Sequence, residues 1–185
     1  MNDMTKRVFI IHGWGGVPNS NWFPWLKAEL TKLKYEVIVP AMPNSGRPQA
    51  KEWISCMNET IGNPTKSDYL VGHSLGVIAI LRYLEQLKAS QKIGGAVLVA
   101  GISYNNLGIN EVSSFFDVPV NWNAIKVHCK NFIALHSDDD PYAPIVHSEI
   151  FREKLGAKLI VEHGMGHLRL DKFPDVLNAV LEISK

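Results

Sequence analysis

Residues 69–87 read YLVGHSLGVIAILRYLEQL, and this stretch decides how the chain folds. Its first three residues form a short apolar run, which is typical of a strand that is buried on both faces. From Leu75 to Leu87, apolar residues occupy nearly every face of a helix, which indicates a buried helix. Only the turn Gly72–Gly76 separates the two. A buried strand that runs directly into a buried helix is the repeating unit of a parallel sheet with helices on both sides.

The same alternation of strand and helix extends along the rest of the chain. Short apolar runs predict further strands at residues 8–11, 36–39, 95–100, 131–136 and 158–161. We therefore predict an α/β fold, in which residues 1–185 form one domain around a single doubly wound, mostly parallel sheet of about six strands. Residues 101–130 show no clear period, and so long a stretch in a compact domain is more often functional than idle.

The composition argues against several classes of protein. The chain has 185 residues, of which 46% are hydrophobic and 20% are charged, and its net charge is +1. So even a charge balance argues against binding to nucleic acid or to a membrane surface. The two cysteines, Cys56 and Cys129, have no metal-ligand spacing, so we expect reduced thiols, no metal site and no cofactor. The polar residues 1–7 do not resemble a signal peptide, and no run of roughly 18 apolar residues follows, which makes the cytoplasm the expected location.

The turn Gly72–Gly76 has the pattern G-x-S-x-G and lies directly between the predicted strand and helix. In this context the pattern indicates a nucleophile elbow, in which Ser74 projects from a sharp turn at the carboxyl edge of the sheet. Gly72 and Gly76 leave room because the backbone passes close on both sides of the serine. The start of the helix offers free N–H groups to a developing negative charge. The alternative is a glycine-bracketed turn whose serine has no chemical role.

A serine nucleophile needs a base, usually a histidine that a carboxylate orients. In folds with this elbow, the order along the chain is serine, acid, histidine. Three aspartates, residues 138–140, follow the fifth predicted strand, and His163 and His167 follow the sixth. We predict His167 as the base, because the glycine-rich loop before it can carry it back over the sheet. The alternatives for the acid are Asp139 and Asp140.

Residues 12–16, HGWGG, follow the first predicted strand. A turn of the type HG-x-G-G supplies a backbone N–H group to the oxyanion hole in lipases and esterases. We expect Gly13 to belong to this turn, Trp14 to supply one N–H group, and Leu75, the residue after the nucleophile, to supply the other. The alternative is a phosphate-binding glycine loop, but no Lys-Ser/Thr pair follows and the spacing differs from G-x-G-x-x-G.

The four motifs HGWGG, GHSLG, DDPYAP and HGMGHL, in this order, resemble those of α/β-hydrolases across residues 7–183. Three further features point to one subfamily of these hydrolases: the short chain, the tryptophans of the first helix and the loop DDP-x-x-P. The chain is similar to the small serine hydrolases grouped with retinoblastoma-binding protein nine and their bacterial relatives. This resemblance implies a shortened sheet, no cap domain, and a triad in which Ser74 is the nucleophile, Asp140 the acid and His167 the base.

Retinoblastoma-binding protein nine has a motif for its partner, Leu-x-Cys-x-Glu, which is missing from this sequence. Neither Cys56 nor Cys129 has leucine two positions before it and glutamate two positions after it. The resemblance therefore implies no binding of a retinoblastoma-type partner, and the partner we expect is a small acyl substrate.

The predicted chemistry is acyl transfer through a covalent acyl-enzyme, and we expect kcat/KM to rise with pH through roughly 6 to 7 because the base must be neutral. A carboxylesterase for small or medium acyl esters is the expected activity. The candidates for the pocket wall are His12, Phe115, Phe116 and Trp122, together with Trp14. The alternative is that the aromatic residues belong to the core. A thioesterase or peptidase would use the same triad. A binding protein on a hydrolase scaffold, with little turnover, is the alternative from a different class.

Overall fold

The computed structural model describes residues 5–185, so the first four residues of the polar N-terminal stretch lie outside the described chain. The described chain contains the strands β1 Arg7–Ile11, β2 Glu36–Ile38, β3 Asp68–His73, β4 Gly95–Val99, β5 Phe132–Ser137 and β6 Lys158–Glu162. Its α-helices are α1 Phe23–Lys32, α2 Ala50–Ile61, α3 Leu75–Glu85, α4 Trp122–His128, α5 Val146–Leu155 and α6 Pro174–Ile183. A 3₁₀ helix, Asn110–Phe115, precedes α4.

All of these strands are parallel and lie in the order β2-β1-β3-β4-β5-β6. The strand order reverses between β1 and β3, where Ile11 at the end of β1 pairs with Gly72 of β3. Open α/β sheets place their sites beyond the carboxyl ends of the strands at such a reversal. The loop after β1 and the turn after β3 meet at this point.

Helices cover both faces of the sheet and enclose two apolar cores. On one face, α2, α3 and α5 contribute fully buried aromatic residues, among them Trp53, Tyr83 and Phe151. On the other face, α1 and α6 pack around Trp22 and Phe173. Helix α3 lies at the centre of the first layer, and every residue of it except the last is buried. The core therefore fixes the position of the turn from which α3 begins.

The predicted fold class is confirmed, with particular differences that have physical causes. The central strands β3, β4 and β5 are buried along their whole length, as unbroken apolar runs predict. Strand β6 has no fully buried residue, because it lies at the edge of the sheet. Helix α3 ends at Glu85, two residues before the predicted end at Leu87.

The aperiodic segment, residues 101–130, contains the 3₁₀ helix and α4. Helix α4 has seven residues, about two turns, which is too short for a helical period to be recognised in the sequence. The structure thus divides this segment into two short helices and the loops around them. Across residues 5–185, no helix is long and apolar enough to cross a membrane.

Candidate active site

Ser74 occupies the sharp turn between β3 and α3 in a conformation that is rare for a residue other than glycine. Its φ is 56° and its ψ is −120°. Hydrogen bonds hold the turn on both sides: the N–H of Ser74 donates to the carbonyl of Val99 at 2.9 Å, and its own carbonyl accepts from the N–H of Val77 at 3.0 Å. Such strained residues persist only where the surroundings determine them, and they cluster at functional sites.

Gly72 and Gly76 allow the close packing that this turn requires. A Cβ atom on Gly76 would lie 2.2 Å from the carbonyl oxygen of Ile11, and one on Gly72 would lie 2.9 Å from backbone atoms of Gly76. A real Cβ atom essentially never lies within 3.0 Å of such a neighbour, so a side chain at either position would force the backbone to move. The two glycines therefore let α3 approach β1 and β3, as the G-x-S-x-G pattern predicts.

His167 connects Ser74 to Asp140 through two short hydrogen bonds. Its Nε2 atom lies 2.8 Å from Ser74 Oγ, and its Nδ1 atom lies 2.7 Å from Asp140 Oδ2. Because a carboxylate only accepts, Nδ1 carries the proton and Nε2 is free to accept from the serine hydroxyl. The side chains of His167 and Asp140 are 5% and 0% exposed. The structure thus brings together the three predicted triad residues.

Asp140 is held as a carboxylate by its hydrogen bonds. Burial raises the pKa of Asp140, but the hydrogen bond from His167 and the backbone N–H groups outweigh it, so that the net pKa lies below its usual range. The second carboxylate oxygen, Oδ1, accepts from the N–H groups of Tyr142 at 2.8 Å and Ala143 at 3.0 Å. Asp140 therefore orients the imidazole and is itself fixed by its own loop.

Asp138 and Asp139 contact the same histidine loop but not His167. Asp139 Oδ1 accepts from the N–H of Gly166 at 2.8 Å. Asp138 accepts from the N–H of Gly164 at 3.0 Å and pairs with His163 Nδ1 at 2.6 Å on the protein surface. Three consecutive aspartates thus bind three successive parts of one loop, and of the three, Asp140 is the one within reach of His167.

The glycine turn after β1 lies directly against Ser74. A Cβ atom on Gly13 would lie 2.9 Å from Ser74 Cβ. The N–H group of Leu75 is at the first position of α3, where a helix offers no internal acceptor. The N–H group of Trp14 donates to no acceptor within residues 5–185. Both N–H groups predicted for the oxyanion hole are therefore available to a ligand beside Ser74.

His12 lies beneath this turn, so its predicted place in the pocket wall is wrong. The residue is buried, and Nε2 accepts from the N–H of Met42 at 3.1 Å. Nδ1 lies 2.9 Å from the carbonyl oxygen of Gly13, and burial lowers the pKa of His12. The neutral ring therefore ties the glycine turn to the loop after β2.

Two cavities meet at Ser74. The first has a volume of about 220 Å³, and its walls are mostly apolar: Trp14, Leu75, Ile102, Asn105, Asn106, Leu107, Ile109, Val112, Tyr142, His167 and Arg169. The second has a volume of about 230 Å³ and more polar walls, which include the turn Gly13–Gly16, Ser20 and Asn21. Trp14, His167 and Arg169 border both cavities. A carbonyl at Ser74 could therefore extend one substituent into each cavity.

The aromatic residues expected in the pocket wall lie in the core instead. Phe115 is fully buried, and its ring packs edge-on against Trp53 with centroids 5.5 Å apart. Trp122 packs against Phe151, and Phe116 contacts the same core. The segment after β4 turns these rings inward and directs its aliphatic residues towards Ser74.

A further histidine, which the sequence analysis missed, supports the base. His73 Nε2 donates to the carbonyl of His167 at 3.0 Å. Burial, together with the neighbouring His167, lowers the pKa of His73 to about 3, so the ring stays neutral and keeps this bond. His73 is the first x of the G-x-S-x-G pattern, and because the pattern allows any residue there, it indicates no role for this histidine. Tyr142 and Arg169 were also missed, although each follows a triad residue by two positions.

Comparison with known proteins identifies the family of the chain. The serine hydrolase family matches residues 8–179. YdeN of Bacillus subtilis is 32% identical over 170 residues, which cover 91% of this chain and 89% of YdeN. The serine hydrolase RBBP9 of Rattus norvegicus is 27% identical over 183 residues, which cover 97% of this chain and 96% of RBBP9.

Solved structures show the same architecture. The crystal structure of the ydeN gene product from B. subtilis has a TM-score of 0.92 and 28% identity, with 97% of this chain and 98% of that chain covered. Est1E from Butyrivibrio proteoclasticus has a TM-score of 0.77 at 17% identity, with 96% of this chain and 86% of that chain covered, a likeness of fold alone. The fold is that of the α/β-hydrolases. Within that fold, the chain belongs to the serine hydrolase family.

Proposed function

We propose that the protein is a carboxylesterase that hydrolyses small or medium acyl esters through an acyl-enzyme on Ser74. One observation carries the proposal: the hydrogen bonds of 2.8 Å and 2.7 Å that join Ser74 through His167 to Asp140 at the meeting point of two cavities. A serine in this arrangement is activated as a nucleophile, because the adjacent base accepts its proton.

In the proposed reaction, Ser74 Oγ attacks the ester carbonyl while its proton passes to His167 Nε2. The N–H groups of Trp14 and Leu75 stabilise the negative charge on the carbonyl oxygen. The C–O bond to the alcohol then breaks, and the alcohol leaves with the proton from Nε2. Water repeats the sequence on the acyl-enzyme, which releases the acid and restores the serine hydroxyl. Asp140 stabilises the positive charge that His167 carries in both steps.

The size and polarity of the cavities support esters of modest length. A cavity of about 220 Å³ with walls of isoleucine, leucine and valine accepts a short hydrocarbon chain. The esterase RhEst1 from Rhodococcus sp. ECU1013 has the same fold, so this fold is one that can carry an esterase site.

A fluorophosphonate probe, which labels activated serines covalently, tests the proposal together with hydrolysis of short ethyl esters. We expect labelling and hydrolysis by the parent and loss of both in Ser74→Ala and His167→Ala. Ser90→Ala, which changes an exposed serine, serves as the control and keeps both properties. A folded parent that is neither labelled nor active would overturn the proposal and favour a binding protein on a hydrolase scaffold.

A further inference from the structure

Arg169 borders both cavities beside Ser74, and the mechanism proposed above does not use it. Its side chain is exposed and lies over the ring of Tyr142, with the guanidinium carbon 5.4 Å from the ring centroid. Tyr142 in turn contacts the ring of His167, with centroids 5.1 Å apart. Arg169 is thus held at the mouth of the site by stacking on a residue that itself touches the base.

The guanidinium group of Arg169 has no counter-ion within the described chain. No carboxylate among residues 5–185 lies within 4.0 Å of it. Asp140, the acid of the site, is fully engaged by His167 and two backbone N–H groups. The other polar wall residues, such as Ser20, Asn21 and Asn105, are uncharged. Arg169 is therefore the charged wall residue that is free to pair with a ligand.

The backbone before Arg169 is fixed in an unfavourable conformation. Leu168 has a φ of 50°, although its side chain is fully buried. A left-handed conformation is unfavourable for a residue other than glycine. The core offsets this cost, because it buries Leu168 and because the indole N–H of Trp22 donates to the Leu168 carbonyl at 3.1 Å. The turn at Leu168 places His167 and Arg169 on the same cavities.

We propose that Arg169 binds a carboxylate of the substrate, so that the enzyme selects esters whose acyl or alcohol part carries a negative charge near the scissile bond. This inference rests on the proposed esterase function. A guanidinium group recognises a carboxylate through two parallel hydrogen bonds, and the contact with the Tyr142 ring keeps this group at the mouth of the site. The apolar cavity receives the hydrocarbon part of such a substrate.

Two pairs of esters test the proposal and locate the charge. Monoethyl adipate and ethyl hexanoate differ by a carboxylate on the acyl side, and carboxymethyl butanoate and ethyl butanoate differ by one on the alcohol side. The measured quantity is the ratio of kcat/KM for the charged ester to that for the neutral ester in each pair. Because the intrinsic reactivity of each ester is the same for every variant, a change in the ratio reports on the protein.

We expect Arg169→Met to lower this ratio by about tenfold or more in one of the two pairs, as the loss of a charged hydrogen-bond partner does. Arg169→Lys keeps part of the ratio because the charge remains. Arg152→Met, which removes a cation from an exposed ion pair on α5, is the matched control and keeps the whole ratio. In the parent, high salt lowers the ratio by screening the charge.

The outcomes separate the two proposals. If neutral esters are hydrolysed and Arg169→Met leaves both ratios as in the parent, Arg169 has no part in selection and the esterase function stands. If the parent hydrolyses neither member of either pair and is not labelled by the fluorophosphonate, the esterase function itself fails. A ratio that falls equally in Arg152→Met would also overturn the role of Arg169, because net charge alone would then explain the effect.

Discussion

The triad loops, residues 137–143 and 163–169, and the wall segment, residues 101–121, border the same cavity but are held in different ways. The triad loops follow β5 and β6, which are neighbours in the sheet, and side chains of one loop bind backbone N–H groups of the other. Their hydrogen bonds join residues 25 to 28 positions apart. Paired strands therefore align the two loops directly.

The wall segment follows β4 and has no partner loop. Its far end is held by Arg82 of α3, which donates to the carbonyls of Phe115 at 2.9 Å, Val118 and Pro119. Its near end is held by His147 of α5, whose Nδ1 accepts from the N–H of Ser103 at 3.2 Å. Two buried polar side chains on separate helices thus replace the strand pairing that aligns the triad loops.

The difference suggests how the site divides its tasks. The triad loops hold the reacting groups through several short hydrogen bonds, which join successive residues of the two loops. The wall segment depends on a few anchors, and between them several of its residues, such as Leu107, are exposed. Asn106 of the wall segment joins the two regions, because its side-chain N–H donates to the carbonyl of Tyr142 in a triad loop at 3.2 Å. The side-chain oxygen of Asn106 accepts from His147 Nε2 at 3.2 Å. Substitutions in the wall should therefore change substrate choice more readily than chemistry.

The largest effect is expected when a triad loop loses its acid. Asp140→Asn replaces the acceptor of the Nδ1–H bond with an amide that favours the wrong imidazole tautomer, and we expect kcat to fall about 10⁴-fold. Asp139→Asn is the matched control, since Asp139 binds Ser137 and the Gly166 N–H but not His167. It is expected to lower kcat less than about tenfold. Measured on ethyl butanoate, equal losses in the two variants would contradict this division of roles.

A smaller effect, on stability, is expected when the wall segment loses an anchor. The side chains of Arg82 and Glu85 form an ion pair at 2.9 Å and are 8% and 14% exposed. Arg82→Met removes the cation paired with Glu85 and leaves three backbone carbonyls without this donor, and we expect the free energy of unfolding to fall by about 3 kcal/mol in urea titrations. Arg152→Met, at an exposed pair with Glu149, is expected to change it by less than about 1 kcal/mol. A loss at Arg82 no larger than that would show that the segment is held by other contacts.

The effect that is smallest at neutral pH concerns the other anchor of the wall, because it grows only as the pH falls. Burial lowers the pKa of His147 to about 4, whereas a histidine in the unfolded chain has a pKa of about 6.5. Between these values the unfolded chain binds a proton that the folded chain excludes. The free energy of unfolding therefore decreases as the pH falls from about 6.5 towards about 4, by up to ~1.4 kcal/mol per pH unit for this group.

His147→Gln removes this contribution while it keeps one acceptor and one donor. We expect a shallower loss of stability between pH 6.5 and pH 4, as measured by urea unfolding at several pH values. His163→Gln, at an exposed histidine whose hydrogen bond with Asp138 raises its pKa, does not make the loss shallower. An unchanged slope in His147→Gln would show that His147 is protonated equally in the folded and unfolded chain.

The sequence predicts the sheet and the triad loops well because both depend on local patterns. Buried strands read as apolar runs, and the four motifs follow strand ends that a parallel sheet brings to one edge. The choice between Asp139 and Asp140 could not be made from the residues alone, since both fit the loop and only the path of the chain decides which one reaches His167.

The wall segment could not be predicted, because its order comes from distant side chains. Hydrophobicity does not distinguish a ring in a cavity wall from a ring in the core, so the sequence left both places open for Phe115, Phe116 and Trp122. Arg82 lies on the buried helix α3 and His147 on the largely polar helix α5, and neither residue belongs to a motif. Their roles become visible only when the carbonyls and the N–H groups that they bind are placed in space.

The two cavities that meet at Ser74 give the halves of an ester separate places. In the proposed reaction, departure of the alcohol empties one cavity while the acyl group still fills the other. The emptied cavity admits the next nucleophile without displacing the acyl group. The acyl-enzyme is therefore a branch point: water entering there completes hydrolysis, whereas a second alcohol would carry the acyl group away as a new ester.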